Sequence, residues 1–242
     1  MARALGTRHR FVIAYVLLAA AVGSAAGAFI VLVERPAAKP PAAWSSWKPS
    51  RGSSAETAQL IATHVGGSYR LSSGLQLARV VVGVPGLNGN GLQAIALARG
   101  LNQVSLYDPR KSILYILCGD SSNCKIHGNP TVGRGTALRR EALELALYTL
   151  KYANADDVVI FFPPGPGEKT IKSAFFFRRD DLSRQLDVPL RTTLPQAQPP
   201  LPGQIDRREK RTVNELTGGR RFSFAMQTAQ TGGRVLVLQP AA

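Results

Sequence analysis

The sequence predicts an α+β domain carried behind a single transmembrane helix. Three observations lead to that expectation. Residues 11–33 form an uncharged, strongly apolar run of 23 residues. Downstream, helical periodicities and short β-branched or aromatic runs alternate without a regular βαβ repeat, which suits α+β better than a doubly wound sheet. The apolar share, 45% of 242 residues, is enough for one packed core of ordinary size.

Residues 1–10 read as a basic cytoplasmic leader and residues 11–33 as the anchor. A helix of that length measures about 35 Å, enough to cross a hydrocarbon layer of about 30 Å. Ala26-Gly27-Ala28 has the form of a signal-peptide cleavage site, but apolar residues continue past it through Val33, so an uncleaved anchor is the better reading. Arg3, Arg8, Arg10 and the terminal amine give the leader more positive charge than Arg35, Lys39 and Lys48 offset by Glu34 give the other flank. That bias places the amino terminus in the cytoplasm and the remainder outside the cell membrane. Ala19, Gly23 and Gly27 form a ridge of small residues on the span, a face on which two copies could dimerise.

Residues 34–53, rich in Pro, Ala and Ser, read as a tether. Its Trp44 and Trp47 suit a membrane interface, a partner's pocket or packing against the following domain. The α+β domain is expected over 54–194. Ser53 and Glu56 match a capping box that opens a helix. Residues 79–86 read as a buried strand and 87–91 as a turn. Asp108-Pro109 reads as a tight turn joining two β-rich runs into a hairpin that ends at Cys118. The segment "TALRREALELALYTLKYANADD" has a wide apolar stripe, which leaves Arg140, Glu144 and Lys151 on the exposed face. A buried strand follows, stopped by prolines, and then a further strand and a short helix. Residues 195–205 read as a Pro-rich linker. Residues 206–242 form a basic segment ending in a β-hairpin, with Phe222, Phe224 and Met226 on one face and Gly232-Gly233 in the turn.

The stretch "LCGDSSNCKIHG", residues 117–128, holds both cysteines. Cys118, Cys124 and His127 are too widely spaced and too few for a structural zinc site, so no metal is expected. Asp120, Ser121 and His127 contain the groups of a hydrolase, but without the G-x-S-x-G elbow, and turn residues have the same composition. A disulfide between Cys118 and Cys124 is the economical reading outside the cytoplasm, contributing about 2 kcal/mol through loop closure. Asp156-Asp157 reads as a solvated turn at a helix end, and Asp180-Asp181 as a helix cap. No nucleotide-binding or zincin motif is present, and no cofactor is expected.

The net charge of +15 favours polyanions as partners. Arg207, Arg208, Lys210, Arg211, Arg220 and Arg221 form the densest cluster. Few aromatics are interleaved with them, which points away from nucleic acid. The sequence thus favours a non-catalytic interaction or assembly module of the cell envelope, engaging a protein partner or a second copy through the span. A basic module binding acidic wall polymer or anionic lipid headgroups is the second reading, and an envelope hydrolase around Asp120, Ser121 and His127 is the third.

Overall fold

The computed structural model describes residues 15–23, 43–86, 91–100, 103–126, 128–230 and 232–240. The chain divides into two units, Met1–Ala42 and Ala43–Ala242. In the first, residues 15–23 are helical (α1) and exposed. Ala19 and Gly23 lie on this helix, and a Cβ at Gly23 would meet nothing within 4 Å. Gly27 and the remaining residues of the expected span lie outside the described residues. Among the described residues, no helix is long and apolar enough to cross a membrane.

The second unit is a mixed α+β structure built on one eight-stranded sheet. In chain order its elements are α2 (Ser54–Ser68), β1 (Arg79–Val82), β2 (Leu92–Ala98), β3 (Val104–Tyr107), β4 (Ser112–Cys118), α3 (Val132–Tyr152), β5 (Asp157–Phe161) and β6 (Ser173–Arg178). After these come α4 (Ser183–Asp187), α5 (Leu190–Thr193), α6 (Arg207–Thr217), β7 (Arg221–Thr228) and β8 (Arg234–Pro240). The strand order is β1-β4-β5-β6-β7-β8-β2-β3, with β4–β5 and β2–β8 parallel and the other neighbours antiparallel.

Strand β5 is buried at every position, as a strand covered on both faces must be. Tyr115, Leu117, Val158, Ile160, Phe175 and Phe177 face a helical layer that includes Ile61 and Val65 of α2 and Leu143 and Leu147 of α3. On the opposite face, Leu114, Val159, Phe161 and Phe176 meet Ile95 and Leu97 of β2 and Leu236 and Leu238 of β8. The sheet therefore folds over on itself. Phe161 and Phe224 touch edge to face at 4.7 Å, and Tyr107 and Phe176 at 4.8 Å.

Several elements follow the sequence reading. Ser53 and Glu56 close a complete capping box on α2. Strands β7 and β8 form the expected hairpin, and Phe222, Phe224 and Met226 pack on the second core. The hairpin across Asp108-Pro109 is a correction. Strand β3 pairs with β2, while β4 lies between β1 and β5. Burial decides this pairing. Strand β4 is buried at five of its seven positions and takes a partner on each side. Strand β3 exposes Val104 and Leu106 (61% and 71%) and takes the sheet's edge. The Asp108 carboxylate accepts the Arg110 amide and caps a short 3-10 turn joining the two strands.

Residues 43–53 of the expected tether, the expected linker and the C-terminal hairpin all belong to the second unit. Trp44 donates from Nε1 to the Gln185 carbonyl and packs edge to face on Tyr148 and Tyr152, while Trp47 stacks on His64 at 3.8 Å. Strands β7 and β8 occupy the middle of the sheet, and α6 packs on α3.

Arg140 and Glu144 are a further correction. The polar face of α3 is covered by α6, and the Arg140 side chain is only 1% exposed. Arg140 Nε binds Glu209 of α6 at 2.6 Å, and Nη1 binds Glu144 at 2.9 Å and donates to the Tyr69 hydroxyl. Nη2 donates to the Gln196 carbonyl at 2.9 Å. Burial opposes the charge on this guanidinium, but Tyr69, Glu144 and Glu209 outweigh it and hold its pKa above the usual arginine value. Lys151 is exposed as expected.

Arg140→Met would leave the Glu209 carboxylate buried without a counter-charge and should destabilise the protein by about 3–5 kcal/mol. The double variant Arg140→Met/Glu209→Met should recover most of that loss. Urea unfolding midpoints of the three proteins check both statements.

Candidate functional site

Strands β4 and β5 are parallel neighbours joined through α3, so their carboxyl ends share one edge of the sheet. In open α/β sheets that edge is where ligands bind. Here it opens into a cleft of about 630 Å³. Five chain segments line it: the loop after β4, the first turns of α3, the "FPPGPG" run of residues 162–167 after β5, the start of β6, and the turn between α6 and β7.

The first wall is shaped by the disulfide, which links Cys118 and Cys124 with their Cα atoms 4.3 Å apart. Gly119 donates its amide to the Cys124 carbonyl, and a Cβ on Gly119 would sit 2.0 Å from the Lys125 carbonyl oxygen. Only glycine permits that approach. The fold of this loop delivers Lys125 and Ile126 into the cleft. Thr131 caps α3 by accepting the Arg134 amide through its hydroxyl. Arg134 lines the cleft and donates to the Gly128 carbonyl at 3.0 Å. Two turns into the helix, Arg139 faces Arg221 of β7. Burial, and secondarily the Arg221 charge, lower the Arg139 pKa, and burial lowers that of Arg134.

Lys125, Arg134, Arg139 and Arg221 thus line one cavity, and among the described residues no Asp or Glu lines it. Glu168, just beyond the proline run, accepts the Gly165 amide at 2.7 Å. Guanidinium groups that repel one another across a cavity without an internal carboxylate suit an oxyanion.

The basic cluster expected from sequence is divided by the fold. Arg221 lines the cleft, whereas Arg220 donates to the Asp181 carbonyl at 3.4 Å. Arg207, Arg208, Lys210 and Arg211 are exposed on α6. Lys125, Arg134 and Arg139 come from segments that only the fold brings together. In the disulfide loop, the Ser121 hydroxyl donates toward Asn123 Oδ1 (2.7 Å) and the Lys125 carbonyl (2.9 Å), and Asp120 is exposed. His127 lies outside the described residues. No cluster of three or more metal-ligating side chains occurs among the described residues.

A second, smaller cavity of about 440 Å³ lies at the start of β5, lined by Tyr107, Lys111, Asp156, Asp157 and Arg178 among others. It corrects the reading of both acidic pairs. Asp157 opens β5 beside Ser112 and Arg178 and is only 6% exposed, so it is not a solvated turn residue. Asp156 is more open and pairs with Lys111 at 3.4 Å. The 3-10 turn at Asp180–Leu182 has no side-chain cap. Asp181 instead binds Arg178 through both oxygens.

Burial, reinforced by Asp156 and opposed by Arg178, pushes the Asp157 carboxyl up to about 6. The folded state therefore holds this proton more tightly than the unfolded chain. The associated stability is complete below the ordinary aspartate value of about 4 and is lost as pH rises through about 6. Asp157→Asn should flatten the fall in stability between about pH 4 and about pH 6. Denaturant midpoints of both proteins across that range check it. Comparison of the chain with protein-family models, with curated proteins and with solved structures gives no match.

Proposed function

We propose that the protein is a membrane-anchored extracytoplasmic module that binds an acidic ligand in the cleft at the carboxyl ends of β4 and β5. The observation that carries this reading is the convergence of Lys125, Arg134, Arg139 and Arg221 on a cavity whose lining, among the described residues, holds no carboxylate. The role is one of binding. Guanidinium and ammonium groups keep their charge at neutral pH and hold an anion without moving a proton. The uncharged run at 11–33 and its flanking charges support the anchored topology, with Ala19, Gly23 and Gly27 as a packing ridge for a second copy. The Cys118–Cys124 bridge suits an oxidising compartment. A second reading, assembly with a protein partner, is favoured by the edge strand β3, whose Val104 and Leu106 are exposed.

The full chain in neutral detergent should bind inorganic polyphosphate at about 0.01 M salt and release it at about 1 M, as the screening length falls from about 30 Å to about 3 Å. Arg139→Gln/Arg221→Gln should weaken this binding by about tenfold or more, while Arg207→Gln/Arg208→Gln leaves it nearly unchanged. Equal losses in both pairs would show that diffuse surface charge, not the cleft, is responsible.

For topology, a reporter that is active only outside the cytoplasm, fused after Ala242, should be active. A silent reporter with a stable fusion protein overturns the orientation.

A further inference from the structure

The cleft is lined by two chemically different sets of residues. One is the cations Lys125, Arg134, Arg139 and Arg221. The other is Ile126, Leu138, Phe162, Phe175 and the prolines of the 162–167 run, which itself carries no charge. Phe162 and Phe175 meet edge to face at 4.7 Å and form a firm apolar surface.

The apolar residues of the lining offer a ligand few groups to hydrogen-bond. Pro163, Pro164 and Pro166 have no amide proton. The Gly165 amide is taken by Glu168. Of the three hydroxyls in the lining, Thr131 accepts the Arg134 amide and Thr217 donates to the Val213 carbonyl, which leaves Ser173 as the one open to a ligand. A hydrophilic polymer would have to bury several sugar or glycerol hydroxyls against this surface with few partners, which is unfavourable. A hydrocarbon chain gains free energy there. The cationic side, in turn, calls for a head of more than one negative charge, because a single carboxylate would leave guanidinium groups facing one another. A phosphoryl group presents several oxygens in the geometry that arginine forks bind.

We infer that the ligand is an acidic amphiphile, a phosphate or diphosphate ester of a hydrocarbon alcohol, with its head on the four cations and the start of its chain on Phe162 and the prolines. This deepens the proposed function and rests on it. An anchored module meets such amphiphiles in the leaflet to which it is tethered.

The test uses the full chain in neutral detergent, titrated calorimetrically with hexyl phosphate, inorganic phosphate and hexanol, with empty micelles subtracted. Hexyl phosphate should bind about tenfold or more tightly than inorganic phosphate, since each buried methylene contributes severalfold, and hexanol should show no binding. Ile126→Ser should bring the ratio of hexyl phosphate affinity to inorganic phosphate affinity down toward one. Phe162→Ala should do the same, and circular dichroism establishes which of the two variants is folded. Equal affinity for the two phosphates overturns the amphiphile and leaves the acidic-ligand reading standing. Binding of hexanol as tight as that of hexyl phosphate also overturns the amphiphile. Absence of binding by either phosphate at low salt overturns both readings.

Discussion

The helical layer depends on one buried guanidinium. Arg140 projects from the middle of α3 and reaches Glu209 on α6, Glu144 on its own helix, the Tyr69 hydroxyl just after α2, and the backbone at Gln196. Four stretches of chain, distant in sequence, converge on one planar cation whose donors are fixed in direction. Apolar packing alone would tolerate small slides of α6 along α3, whereas a fork of directed hydrogen bonds does not. Glu141, the next residue, is fully buried, and neither carboxylate oxygen has a partner. Burial, reinforced by Glu144, raises its pKa well above the ordinary glutamate value, so the interior favours its protonated form.

The fixed register of α3 also positions the cleft. Its first turns carry Arg134 and Arg139, and its further course holds Arg140. The same helix that is locked into the interior by one arginine thus presents two others to the cavity. The remaining walls are equally constrained: the disulfide and Gly119 set the loop that carries Lys125, and prolines stiffen the run after β5. Such preorganisation lowers the ordering cost of binding.

Local chemistry was legible in the sequence. Ser53 and Glu56 announced the start of α2, the alternation of Phe222, Phe224 and Met226 announced β7, and two cysteines without spares announced their bridge. Features that depend on distant segments were not legible. The runs flanking Asp108 look like a hairpin because both favour strands, yet which strand lies beside β4 is decided by burial of both its faces, and its partners come from 79–82 and 157–161. Helical periodicity placed Arg140 on a polar face, but no local signal says that α6 covers that face. The cleft draws its cations from three separate places, so the clusters that stand out in sequence, such as 207–211, are not the ones the fold brings together.

The position of β8 has a consequence for how the sheet is completed. Strand β8 inserts between β7 and β2, pairing antiparallel with one and parallel with the other. Until residues 234–240 arrive, the β2–β3 ribbon has no neighbour on its β2 side, and Ile95 and Leu97 lack their cover from Leu236 and Leu238. Loop closure across that separation is slow, and an unpaired strand edge invites association with other chains in the meantime. A chain emerging amino-terminus first therefore carries an open ribbon until β8 appears and closes it.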